Sequence, residues 1–415
     1  MPLISQEGLN NMMHYKYHPH NPTPLEKIMN RFWEKAVLII PMNVAPNTVT
    51  LIGLLAMVLS YVPMLVYDIS LTKTIPNWTF SLAALLHFLY QTADALDGKQ
   101  ARRTHASSPL GHLFDHGCDA FSTGFLILGL LEAFQLGDDP ITAFGLFATV
   151  LIIFWIFSWN QCHSTVLLLN VGGVGIVEAQ YLIMFFLLVT GYYGQAFWLQ
   201  PTANFVPAAI KGALPNHTFI NTVLGAQFGF TVLYTLMVVL GAISLNIIIR
   251  TLKNTDRRVY ALKQNLPFLY LLGLFVVWSQ TPFYAKYRAP VYLIFSMYFS
   301  LITSRLIISG MTKEFSLYHR ELVALTAITP ILYKEVLFAN VKLPFPEDKA
   351  FLVFIVFLTL IAVYSWAAQV MKEISDFLGI HCFSVYPRSQ TAAVDAVNPT
   401  KLVGTEIETE KKLQQ

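Results

Sequence analysis

The chain has 415 residues, 55% of them hydrophobic and only 12% charged, with a mean hydropathy of +0.54. That composition excludes an ordinary soluble globular domain, and with repeated long apolar runs it implies an all-α polytopic membrane protein. A net charge of +3 is near neutral for this length and argues against nucleic acid as a partner; Cys118, Cys162 and Cys382 lack any CxxC spacing and indicate neither a disulfide framework nor a thiolate metal site.

In chain order, residues 1–22 are polar and contain no apolar signal-peptide core, so no cleavable leader is expected. His14, His18 and His20 cluster there, and a polar terminus is a better reading of them than a metal site. The stretch PLEKIMNRFWEKAVLIIPM places Leu25, Ile28, Met29, Phe32 and Trp33 on one side, with Glu26, Lys27, Arg31 and Lys35 largely elsewhere. This predicts an amphipathic helix lying on the membrane surface, or else packed on the protein. Pro46 and Asn47 then open the first span.

About ten apolar spans follow, at 48–67, 79–97, 109–135, 141–169, 176–198, 223–249, 265–281, 289–309, 321–340 and 350–373. With both termini in the cytosol, that side collects Lys16, Lys27, Arg31, Lys35, Lys99, Arg102, Arg103, Arg250, Lys253, Arg257, Arg258, Lys263, Lys313 and Arg320. The opposite side keeps only Lys73, Lys211, Lys286, Arg288, Lys342 and Lys349, together with the sequons at Asn77 and Asn216, which satisfies the positive-inside rule. Arg305, Lys334 and Glu335 are charges within or near the spans, the last two a candidate pair. The final thirty or so residues read as a disordered tail.

One stretch stands out against this background: DALDGKQARRTHASSPLGHLFDHGCD, residues 94–119. At helical periodicity Asp94, Asp97, Gly98, Ala101 and Arg102 share one broad face, and Gly111, Asp115 and Asp119 follow at i, i+4 and i+8. Two facing helices would aim four carboxylates at one point. Such a set cannot remain ionised in a low-dielectric cleft without added positive charge, and one arginine is too little. Mg²⁺ or Mn²⁺ is the natural remedy, since both prefer oxygen ligands and are commonly shared with phosphate. Gly98, Ala101 and Gly111 leave room for a bulky ligand, and the planar fork of Arg102 suits a phosphate.

The eight specified positions resemble, place for place, the signature of the CDP-alcohol phosphotransferase family, Asp-x2-Asp-Gly-x2-Ala-Arg-x8-Gly-x3-Asp-x3-Asp. The text GKQARRT, SSPLG, LFDHGCD and GIVEAQ is similar to the eukaryotic choline/ethanolamine phosphotransferase branch. One departure is His112, where that branch usually has an acid; it lies off the carboxylate face, so altered local electrostatics are expected in place of lost chemistry.

The resemblance implies transfer of phosphocholine or phosphoethanolamine from CDP-choline or CDP-ethanolamine to diacylglycerol, with release of CMP. It implies a metal on Asp94, Asp97, Asp115 and Asp119, nucleotide contacts from Asn47, Asp94 and Arg102, and room for the donor at Gly98, Ala101 and Gly111. Asp119 is the favoured general base by resemblance, with His116 and Glu178 in contention because a metal-bound carboxylate is a weak base. As a plain N-cap Asn47 would look the same, and Glu178 could equally be a helix-end acid. Trp155, Trp159 and Tyr181 are candidates for a quaternary-ammonium cage, although packing explains them as well.

The expected organisation is a cytosolic N-terminus and amphipathic helix at 1–47, a catalytic core at 48–222, additional helices for scaffolding or dimerisation at 223–375, and a cytosolic tail at 376–415. A homodimer in the endoplasmic reticulum or Golgi, surrounded by membrane lipids, is likewise implied by resemblance. Three alternatives are weaker. A CDP-diacylglycerol-dependent phosphatidyltransferase would resemble only a compact six-span core. A cation-coupled transporter would echo the aspartates in its second half. A degenerate scaffold would have lost a ligand.

Overall fold

The structure, a computed structural model, describes residues 2–15, 22–163, 175–215, 217–315, 319–332 and 348–385. Outside this set lie His18, His20, Gly172, Gly173, Asn216, Lys334, Glu335, Lys342 and the tail beyond 385. Within it the regular structure is helical, with one isolated antiparallel bridge between Pro201 and Gln227. The helices are α1 (Gln6–Met13), α2 (Pro24–Ala36), α3 (Pro46–Tyr67), α4 (Trp78–Arg103), α5 (Pro109–Ala133), α6 (Pro140–His163), α7 (Ile176–Tyr193) and the short α8 (Ala208–Ala213) and α9 (Thr218–Gly225). They continue with α10 (Phe228–Asn254), α11 (Arg258–Lys263), α12 (Leu266–Ser279), α13 (Pro282–Lys286), α14 (Arg288–Thr312), α15 (Arg320–Leu332) and α16 (Asp348–Leu378).

Seven stretches among the described residues are long and apolar enough to cross a bilayer, compared with the ten expected: α3, α6, α7, α10, α11 with α12, α14 and α16. The shortfall has a physical origin. Helices α4 and α5 have 26 and 25 residues, enough length, but they carry the motif's charges. The span expected at 321–340 is described only as the 13-residue α15. The span expected from 223 begins at Phe228, because the chain turns at Ala226, whose carbonyl accepts from the Thr202 amide at 2.8 Å and hydroxyl at 2.9 Å. Outward-facing Val66, Ile141, Val238, Val353 and Tyr364 are highly exposed, a surface that lipid covers in an integral membrane protein.

Both N-terminal helices are held by caps. Thr23 accepts from the Glu26 amide and Glu26 reaches back to the Thr23 amide, a capping box ahead of Pro24. On α2, Trp33 is buried while Ile28 and Phe32 remain exposed. Helix α1 was not legible in the polar first 22 residues. Ser5 caps it, and Asn11 donates to the Thr312 carbonyl at 2.9 Å, tying the N-terminus to the end of α14.

Helix α14 is the spine of the bundle. Of its most apolar window 83% is buried inside the protein, and it packs on α5, α6, α16 and α1. It meets α5 through small residues: a Cβ on Gly124 would lie 2.4 Å from Ser296 Cβ, and Ser300 Oγ donates to the Gly117 carbonyl at 3.2 Å. Small residues are what allow two membrane helices to approach this closely. The region after 223 therefore packs directly along a helix of the aspartate motif.

Arg305, near the end of α14, bonds the buried carboxylate of Glu321 at 2.7 Å and lies over the Trp366 ring. Arg320 joins the same oxygen at 3.2 Å. Arg305→Ala would leave the exposed Arg320 as the cation on Glu321 among the described residues and should cost about 2 kcal/mol, below the usual figure for breaking a buried pair because that cation stays. Thermal unfolding in detergent checks this, with the paired change Arg305→Met and Glu321→Leu expected to cost less than Arg305→Ala alone.

Candidate active site

The motif forms a helix–turn–helix. Helix α4 ends at Arg103; His105 takes a left-handed φ of 56° and the Ala106 amide closes back on the Ala101 carbonyl at 2.9 Å. Ser108 then caps α5, accepting from the Gly111 amide at 3.1 Å, with Pro109 in the first turn. Two side chains brace this end against the segment leading into α3. Gln100 donates to the Pro41 and Val44 carbonyls, both at 3.0 Å, and Arg103 donates to those of Val37 and Ile40, both at 2.7 Å. Arg103 is therefore structural. Arg102 is exposed, with no ion-pair partner among the described residues.

The four aspartates converge as their spacing predicts. One oxygen each of Asp94, Asp97 and Asp115 lie within 4.8 Å of one another, as do ligand atoms of Asp115, His116 and Asp119. Asp115 belongs to both groups and links the two helices. Its Oδ1 is buried without a hydrogen-bond partner among the described residues, and its Oδ2 is 3.3 Å from His116 Nδ1. An orphaned buried carboxylate oxygen amid three others is the arrangement a hard divalent cation satisfies, so the donor set fits a metal of the magnesium type.

Other site residues were not singled out from the sequence. Thr50 on α3 donates its hydroxyl to Asp97, and Tyr90 on α4 donates to Asp119. Ser122 Oγ in turn donates to Tyr90 Oη at 2.8 Å. Their signal was present: Tyr90 lies four residues before Asp94, and Thr50 three after Asn47, one helical turn in each case.

The glycines leave space. A Cβ on Gly98 would meet nothing closer than Arg102 Nη1 at 3.6 Å, and one on Gly111 would lie 3.5 Å from Asn47 Oδ1 and Ser108 Oγ. Those are ordinary contacts, so the protein's own packing does not demand glycine at either place.

Asn47 is buried beside this space, but its amide nitrogen donates to the Cys382 carbonyl at 2.8 Å and contacts Cys382 Sγ at 3.2 Å. The segment after α16 thus folds over the end of α5, with Phe383 edge-on to Phe114. Glu178 lies elsewhere in the network: its carboxylate accepts from the Gly175 amide at 2.9 Å and the Leu25 amide at 3.4 Å, capping α7 and fastening α2 to it. Trp155 and Trp159 are fully buried, donating to Asn265 Oδ1 and the Ala261 carbonyl, both at 2.8 Å. Those bonds are packing contacts between α6 and the α11–α12 region. Tyr181 meets the Phe88 ring in a T-shaped arrangement, with centroids 6.5 Å apart.

A profile of the CDP-alcohol phosphatidyltransferase family matches residues 43–210, from just before α3 to the short helix α8. A CDP-alcohol phosphatidyltransferase class-I family protein of Dictyostelium discoideum is 32% identical over 403 residues, covering 94% of this chain and 97% of that protein. The chain belongs to the CDP-alcohol phosphatidyltransferase family. Choline/ethanolaminephosphotransferase 1 of Arabidopsis thaliana is 29% identical over 403 residues, covering 93% of the chain and 99% of that protein. Cholinephosphotransferase 1 of Danio rerio is 30% identical over 389 residues, covering 93% and 96%. For this CDP-alcohol phosphatidyltransferase, the similarity to these relatives extends over nearly the whole chain, beyond the profile-matched core and into α10–α16.

Proposed function

We propose that the protein transfers phosphocholine or phosphoethanolamine from the CDP-alcohol to diacylglycerol, yielding phosphatidylcholine or phosphatidylethanolamine and CMP. The observation that carries this reading is the convergence of Asp94, Asp97, Asp115 and Asp119, in a chain similar over nearly its whole length to proteins named for that transfer. The four aspartates would hold Mg²⁺ or Mn²⁺. When bound, the cation supplies positive charge to the donor's pyrophosphate and to the departing CMP.

The chain's own residues do the rest. Arg102, exposed beside Gly98, binds the donor's phosphates, and Gly98, Ala101 and Gly111 keep the approach open. Asn47 contacts the donor from α3. The acceptor hydroxyl oxygen forms a bond to the phosphorus that carries the alcohol. The phosphoanhydride bond breaks, its electron pair leaves with CMP, and the hydroxyl proton passes to a base.

We assign that base to His116. Asp119 is engaged by the Tyr90 hydroxyl and lies among the ligand atoms around Asp115, so it is better used as a metal ligand. His116 lies among the same ligand atoms, its Nδ1 is buried without a hydrogen-bond partner among the described residues, and imidazole has the better-matched intrinsic pKa.

The wider reading is a homodimer of the endoplasmic reticulum or Golgi, with a core at 48–222 and its site at the cytosolic face. The bias of lysine and arginine supports that orientation.

The test is CMP release and phospholipid formation by purified protein in liposomes containing diacylglycerol and Mg²⁺, with CDP-choline and CDP-ethanolamine supplied separately. The donor ratio assigns the headgroup. His116→Gln should lower turnover by at least about a hundredfold while Mn²⁺ binding persists, whereas Asp119→Asn should weaken both. Glu178→Gln is expected to affect stability more than turnover. No transfer from either donor by folded, metal-loaded protein would overturn the reading.

A further inference from the structure

The segment that leaves α16 reaches the aspartate motif, and its path is set by contacts on both sides of Cys382. Helix α16 ends before Gly379, whose φ is 66°, and the Ile380 amide closes on the Ser375 carbonyl at 3.1 Å, the bond pattern of a glycine-ended helix. A Cβ at Gly379 would meet nothing within 4 Å, so the position uses glycine for its left-handed backbone and not for space. Earlier in the last turns, Glu373 accepts from the Leu3 amide at 2.9 Å and the Ile4 amide at 3.0 Å, tying this end of the helix to the N-terminal segment. Ile380 is buried, and Phe383 lies edge-on to Phe114 with ring centroids 5.4 Å apart. Between those anchors the Cys382 carbonyl accepts from the Asn47 amide nitrogen at 2.8 Å.

That contact decides which end of the Asn47 amide faces the site. A side-chain amide can turn over about its last torsion, exchanging an NH2 that only donates with an oxygen that only accepts. A backbone carbonyl accepts and cannot donate, so Cys382 selects the orientation with Nδ2 toward it. Oδ1 is left toward the space at Gly111, 3.5 Å from where a Cβ there would lie. Thr50, one turn along α3 from Asn47, donates to Asp97, so this space adjoins the aspartates. We infer that the segment Ile380–Phe383 is a positioning element of the donor site: it holds Asn47 so that Oδ1 accepts from an N–H or O–H of the CDP-alcohol's nucleotide. The inference rests on the reading of Asn47 as a donor contact. Phe383 and Gly379 act through Asn47, so their loss weakens donor binding while the metal ligands and the transfer step stay as they are.

The experiment uses full-length protein in liposomes with diacylglycerol and Mg²⁺, and whichever of CDP-choline and CDP-ethanolamine the parent turns over faster. Phe383→Ala, Phe383→Tyr, Gly379→Val, Gly379→Asn, Asn47→Leu and Phe383→Ala/Asn47→Leu are compared, with Mn²⁺ binding and the thermal midpoint measured for each. Asn47→Leu, which can neither donate nor accept, should raise KM for the donor about tenfold, the scale of one lost hydrogen bond. Phe383→Ala should raise it about fivefold with kcat and Mn²⁺ binding unchanged, and Phe383→Tyr, which keeps the ring on Phe114, should recover most of that loss. Gly379→Val should behave like Phe383→Ala because a β-branched residue resists the left-handed φ, whereas asparagine tolerates it and should stay close to the parent. In the Asn47→Leu background Phe383→Ala should add nothing, since no amide is left to orient. A KM unchanged in Phe383→Ala, a loss confined to kcat, or losses that multiply in the double variant would each overturn the positioning role. A lower KM in Phe383→Ala would overturn it too, showing that the segment masks Asn47 in place of presenting it. Parent-like KM in Asn47→Leu would remove the donor contact itself and the inference with it, and the two failures are thereby distinguished.

Discussion

Asp115→Asn is expected to reduce transfer roughly a thousandfold or more, the scale on which losing one group that stabilises charge in a transition state is felt. It should also abolish the rise in thermal midpoint that Mg²⁺ confers. Asp115 is chosen over its three partners because it alone belongs to both ligand groups, joining the Asp94–Asp97 side of α4 to the His116–Asp119 side of α5. Asparagine keeps the size and one carbonyl oxygen but removes the charge, and in a site built from hard oxygen ligands charge is most of the affinity. A useful signature is the apo protein. Four carboxylates repel one another when no cation is present, so removing one should leave the metal-free protein as stable as the parent or more so, while the metal-loaded protein loses its advantage. Thermal melts with and without Mg²⁺, set beside CMP release, separate the two effects. Turnover near that of the parent, with an unchanged Mg²⁺ dependence, would show that Asp115 is not a ligand.

The sequence made the aspartate face legible because its information is local. Fixed i, i+3 and i+4 spacings within two helices place Asp94, Asp97, Asp115 and Asp119 without any knowledge of the rest of the fold, and the structure brings them together. Contacts made across the fold were not legible. Helical spacing puts Tyr90 and Thr50 on the faces of Asp94 and Asn47, but does not say which carboxylate of another helix each one meets. The contact between Asn47 and Cys382 joins residues 335 apart in sequence, which no spacing rule anticipates. The split role of the arginines was equally hidden: Arg102 and Arg103 are adjacent in a basic run, yet one is exposed beside Gly98 and the other is spent on the Val37 and Ile40 carbonyls. The seven spans that pass on apolar length among the described residues differ from the ten expected for a related reason. Apolar length says how many helices could cross a bilayer, and it undercounts where function places charge inside a helix, as in α4 and α5.

Gly124→Val should prevent the bundle from closing, at a cost on the order of 3 kcal/mol or more, at or above the top of the usual range for overpacking. The reason lies in which atoms it would meet. A Cβ at position 124 falls 2.4 Å from Ser296 Cβ and 3.9 Å from Ser296 Cα. A clash with the end of a long side chain is relieved by a rotamer change. Here the obstructing atom is itself a Cβ, fixed to the backbone of α14, so relief requires the two helices to separate. Separation would also break the Ser300 to Gly117 hydrogen bond one step along the same seam, beside Asp115 and Asp119, so activity should fall together with stability. The smaller change Gly124→Ala tests the cause. Alone it should destabilise the protein in detergent melts, and combined with Ser296→Gly, which removes the opposing Cβ, it should recover most of both the midpoint and the turnover. Failure of Ser296→Gly to rescue Gly124→Ala would mean that the close approach of α5 and α14 is not what Gly124 provides, and that the second half of the chain is coupled to the site by other contacts.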